Sequence, residues 1–164
     1  MQTVLWGADD DVIVLDTTHF PVVLSTWFGR ASAESIRPFY AALDTALERA
    51  RREGKLLVNV VDSAQAEVPT AEVRRLISEL TDAWEKKGAG PDTVKAFVVV
   101  ENAAIRGVLQ VLSWMHPSGG MKSVNVPSLA AAVTAAIEAM RERGIEPPPT
   151  FTVGRITRPT RPRH

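Results

Sequence analysis

The 164-residue sequence contains no cysteine, which excludes a disulfide framework, thiolate zinc sites, cysteine nucleophiles and thiol redox chemistry together. It also lacks what would carry it to a membrane. The first twenty residues contain Asp9, Asp10 and Asp11 but no Lys or Arg, and no apolar run of the length a signal peptide or span requires. A soluble cytoplasmic protein is the expectation. Net charge is absent as well, since 19 basic side chains balance 19 acidic ones. That balance is uneven: residues 145–164 hold Arg155, Arg158, Arg161 and Arg163 against Glu146 alone, leaving a mildly acidic body. The body has no basic face of the kind that neutralises phosphates, so nucleic acid is not an expected partner. His19, His116 and His164 have no ligand spacing between them, and neither a metal nor a cofactor is expected.

What the chain does contain is an alternation of β-branched runs and amphipathic stretches. "VIVLD" (12–16) and "VVLSTWFG" (22–29), separated by a polar turn ending in Pro21, predict an antiparallel hairpin. "TVLW" (3–6) is a candidate for a further short edge strand. Ile36, Phe39, Tyr40, Leu43, Leu47 and Ala50 recur at three- and four-residue steps and predict a helix. Pro38 fits only its first turn, which makes Ser35 the expected cap. "LLVNVVD" (56–62) and "VKAFVVVE" (94–101) are almost wholly apolar, as strands covered on both faces are. Between them, Thr70 caps a helix whose buried stripe is Val73, Leu76, Ile77, Leu80 and Trp84.

A helix over 102–117, a weaker strand at 122–127 and a helix from Ser128 to Gly144 complete the pattern. "HPSGGMKS" (116–123) superficially matches a phosphate loop but runs from helix into strand, the wrong order, and is read as a turn. The predicted fold is α/β: a mixed five-stranded sheet with an antiparallel N-terminal hairpin, the remaining strands parallel, and about four helices. Residues 1–144 form one domain in this reading, and 145–164 a flexible Pro/Arg-rich tail. No internal repeat of the length of a structural element is seen.

The helix over 102–117 has a surplus of apolar surface. At 100° per residue, Asn102, Arg106, Gln110 and Ser113 fall in a stripe roughly 80° wide, and apolar side chains take most of the rest. A sheet hides only about 100° or a little more. The surplus suits a neighbouring helix, a second subunit or a small apolar ligand, and Val111, Leu112, Trp114 and Met115 are the expected interaction surface. Open parallel sheets bind at the carboxyl edge of their strands, where Asp62, Glu101, Asn102 and Arg106 form a candidate polar cluster. None of them reads as an activated nucleophile, so no enzyme is expected.

This element order, with "LLVNVVD" and "KAFVVVE" each feeding a helix, resembles the STAS domain of sulfate transporters and anti-anti-sigma factors. More closely, it resembles bacterial STAS-like proteins related to the sporulation anti-anti-sigma factor, in which a strand ends in an acidic or Asn residue before an "RG" near the start of a Trp-containing helix. Here those residues are Glu101, Asn102, Arg106, Gly107 and Trp114, and the resemblance covers about residues 10–143. It implies a non-enzymatic switch or scaffold with protein partners, and the surplus apolar surface of the 102–117 helix adds the chain itself as an expected partner, in a homodimer. It also implies a phosphorylated hydroxyl at the start of the helix after the third strand: Thr70 here, or Ser63 at the strand's end. Glu67, Val68 and Pro69 replace the small and hydroxyl residues usual before that helix. Some STAS-like folds are grouped with lipid-binding relatives, which gives the apolar-ligand carrier as the second reading.

Overall fold

The computed structural model describes residues 1–104, 106, 107 and 123–163. In chain order these form β1 (Gln2–Trp6), β2 (Val12–Asp16), β3 (Val22–Gly29), α1 (Ala33–Arg52), β4 (Leu57–Ala66), α2 (Ala71–Lys86), β5 (Thr93–Val99), β6 (Ser123–Val126) and α3 (Leu129–Glu142). The strands lie side by side in that same order. β1 and β2 are antiparallel, as are β2 and β3, and every later pair is parallel. The α/β class and the mixed sheet opening on an antiparallel hairpin are as expected.

Two element counts differ. The sheet has six strands among the described residues, not five, because residues 2–6 pair along the whole of β2, from Gln2 beside Asp16 to Trp6 beside Val12. The turn that brings β1 back depends on Gly7, whose N–H donates to the Asp11 carbonyl at 2.9 Å. A Cβ at Gly7 would lie 2.0 Å from Asp11 Oδ2, closer than atoms can pack. Three helices with defined bounds, not four, lie among the described residues. The helix expected over 102–117 is represented by Ala103, Ala104, Arg106 and Gly107, which are helical. Val111, Leu112, Trp114 and Met115 lie outside the described residues.

The central strands of the sheet are buried on both faces because they alternate between two cores. Leu57 of β4 packs with Ile13, Leu15 and Val23 beneath Ile36, Phe39, Leu43 and Leu47 of α1 and Trp84 of α2. Val58 and Val60, one position over, face Phe97, Val99 and the Ala132, Val133, Ala136 and Met140 stripe of α3. Period-two side-chain alternation places one strand in both layers. α1 starts a turn earlier than Pro38 suggested, with Ser32 rather than Ser35 at the cap. A buried carboxylate explains this: Asp11 Oδ2 accepts from the Ser32 N–H and hydroxyl, both at 2.7 Å, and from the Ser35 hydroxyl at 2.5 Å. An anion bonded at a helix N-terminus stabilises that first turn.

Residues 145–163, expected to be a mobile tail, form no helix or strand but lie on the body. Phe151 is fully buried in the core beneath α3, and Ile145 and Ile156 pack against the same core. His19, in the turn before β3, bonds through Nδ1 to the Thr150 hydroxyl at 2.9 Å, and its ring tilts over Phe151. Composition averages over the stretch, whereas one well-placed aromatic is enough to anchor it.

Candidate functional site

Parallel strands β3, β4 and β5 end on one edge of the sheet, and two arrangements of polar side chains occupy it. The first is an open cleft of about 800 Å³ between the turn before β2, the loop before α1 and the start of α1, the loop before α2 and the N-terminal half of α2. Its lining is mostly charged: Asp9, Asp10, Glu34, Glu67 and Glu72 with Arg30, Arg37 and Arg75. Two of these cations are paired, Arg30 with Glu67 at 3.1 Å and Arg75 with Glu79 at 3.8 Å. Both pairs are exposed and contribute little to stability.

Thr70 stands on the rim of this cleft. Its backbone is extended, with φ −61° and ψ 161°, and its hydroxyl accepts from the Val73 N–H at 3.3 Å. That is the N-cap expected of a Thr at this position. The residue is exposed. Ser63 differs: it is buried in β4, and its hydroxyl donates to the Val99 carbonyl at 2.5 Å. Of the two candidate hydroxyls, only Thr70 faces solvent.

The second arrangement is built on Asp62, whose side chain is fully buried. Arg158 grips it with both arms of its guanidinium: Nε donates to Oδ2 at 2.6 Å and Nη2 to Oδ1 at 3.1 Å. The same Nη2 donates to Glu101 Oε1 at 2.9 Å. The Ala64 N–H adds a bond to Asp62 Oδ1 at 3.2 Å. A fork meeting a carboxylate is the strong geometry for such a pair. The hydrogen bond to Asp62 chiefly, with that to Glu101, raises the Arg158 pKa against the opposing effect of its partial burial. Three residues on, the Arg161 guanidinium donates to the Asp10 carbonyl and lies 3.4 Å from its carboxylate.

The predicted polar cluster therefore divides. Asp62 and Glu101 do converge, but on Arg158. Asn102 Oδ1 accepts from the Ala104 N–H at 2.8 Å, opening the next helical turn. Arg106 donates from Nη2 to the Val100 carbonyl at 3.3 Å. Sequence reasoning missed Arg158, Arg161 and the buried Asp11. One signal for Arg158 was present: an Asp ending an apolar strand needs a cation, and the surplus arginines lie beyond residue 154.

No family model matches the chain, and no curated protein matches it. Among solved structures it is similar to an uncharacterized DUF3478-family protein with a SpoIIAA-like fold from Shewanella loihica PV-4, at 11% identity and a TM-score of 0.49. That likeness covers 83% of this chain and 92% of the other. It is also similar to the anti-sigma factor antagonist SpoIIAA in its unphosphorylated form, at 14% identity and a TM-score of 0.47, over 81% of this chain and 99% of that one. No described helix is long and apolar enough to cross a membrane.

Proposed function

We propose that this chain is a non-enzymatic, STAS-like regulatory module that acts by binding protein, and that it also self-associates. The observation that carries the reading is the exposed Thr70 hydroxyl, capping α2 on the rim of a charged, open cleft. A phosphate there faces the unpaired N–H groups and positive dipole end of α2, so it adds about two negative charges without unfolding the helix. A partner fitted to the uncharged rim is then repelled. The charged lining favours a protein surface over a small apolar ligand as the cleft's occupant.

Thr70→Glu is expected to lose a partner captured by the wild-type chain, while Thr70→Ala keeps it. Equal capture by all three sinks the Thr70 reading. Self-association rests on the apolar side chains that the sequence concentrates in the 102–117 segment, and is tested separately. Light scattering at micromolar concentration should give twice the 17.9 kDa of one chain, and a clean monomer removes this part. Trp114→Asp should then return the assembly to monomers; an unchanged mass clears that face.

A further inference from the structure

The segment Thr157-Arg158-Pro159-Thr160-Arg161-Pro162 repeats one tripeptide. In an extended, proline-rich chain with three residues per turn, residues three apart share a face. The structure uses that spacing: Arg158 enters the notch of Asp62 and Glu101, and Arg161 meets Asp10. The carboxylates come from three distant points of the chain: within β4, the residues after β5 and the turn before β2. One is fully buried, which an open acidic surface would not require. The strap beyond Gly154 is held to the body by side chains: Ile156 against the α3 core and the two arginines. Its own backbone N–H bonds at Arg155 and Ile156 turn back to Thr152.

We propose that the carboxyl edge of the sheet is a recognition track for extended peptides carrying arginine, proline and a second arginine at three-residue spacing, and that residues 155–163 occupy it in cis. The occupant in trans is a peptide of that same chemistry, for which the strap is the template. A tethered occupant competes at high effective concentration, so an outside peptide binds fully only where the strap is weakened or released. This inference stands apart from the reading of Thr70 and from self-association.

The test uses the full chain carrying Arg158→Ala and Arg161→Ala, titrated with a fluorescent peptide of residues 155–163. Saturable binding is expected, about tenfold or more tighter than for the same peptide with neutral citrulline at both arginine positions. Wild-type chain should bind the peptide more weakly than the double variant. Absence of binding to the folded double variant, or equal binding of the arginine and citrulline peptides, overturns the proposal. Should the double variant fail to fold, an otherwise wild-type chain is given a specific protease site at the exposed Val153–Gly154 stretch and cut after folding. The cut strap should leave on dilution and be replaced by the added arginine peptide but not by the citrulline one. Release without replacement overturns the proposal equally.

Discussion

Arg158 and Asp62 illustrate how unequal the two halves of an ion pair are. Arg158→Ala leaves a fully buried carboxylate without its cation, and should cost about 3–5 kcal/mol in urea unfolding. At Thr70 the opposite economy holds. Thr70→Ala removes a cap and should cost about 1 kcal/mol, whereas Thr70→Asp, a comparable cap with charge suited to a helix N-terminus, should leave stability nearly unchanged. Equal losses from both substitutions would show that the hydroxyl does more than cap. Tyr40 offers a third measurement, since it is the sole tyrosine. Burial between α1 and α2 raises its pKa to about 12, against the hydrogen bond with Thr81 at 2.6 Å. The folded state therefore holds this proton more tightly than the unfolded chain, so its contribution is complete below pH 10 and is lost as pH rises toward 12. Tyrosinate absorbance should titrate near 12 in the native chain and near 10 once it is unfolded in guanidinium; coincident curves would contradict this.

At the level of elements, the strongly periodic segments were legible. The α1 and α2 stripes and the apolar runs of β4 and β5 announce themselves because burial on a helix or within a sheet leaves a repeating imprint. β1 left almost none. It is an edge strand of five residues with mostly exposed side chains, and its place is set by Gly7 and Asp11 rather than by its own composition. The start of α1 was equally hidden, since the anion that fixes it comes from Asp11, more than twenty residues before the helix. Gly7→Ala tests this arrangement. Its Cβ must displace Asp11 Oδ2 from 2.0 Å, and a loss of about 2 kcal/mol or more is expected, with faster hydrogen exchange in β1 and the first turn of α1. Ordinary exchange at both places would mean that the turn accommodates the methyl group.

For the whole molecule, the sequence separates a body from a tail, and the structure joins them. A segment with few apolar side chains reads as unable to offset its own ordering, and that reasoning holds for most such segments. It misses Phe151 because a single side chain filling a preformed hollow contributes out of proportion to its share of the composition. Phe151→Ala should cost about 3–5 kcal/mol, as a deletion from a folded core does. A change within about 0.5 kcal/mol, the usual result at a surface position, would return these residues to solvent. The carboxyl-edge cluster was half legible for the same reason. Asp62 and Glu101 each close an apolar run of the sequence and so could be placed together, although β4 continues past Asp62 to Ala66, but their cation arrives from a part of the chain where no periodicity points to a destination.

Asp62 and Arg158 lie 96 residues apart, and a ribosome makes them in that order. While the arginine is still inside the exit tunnel, the Asp62 carboxylate is without the partner that grips it in the finished fold, and water must solvate it in that partner's place. The central strand of this sheet is therefore synthesised well before the side chain that completes it.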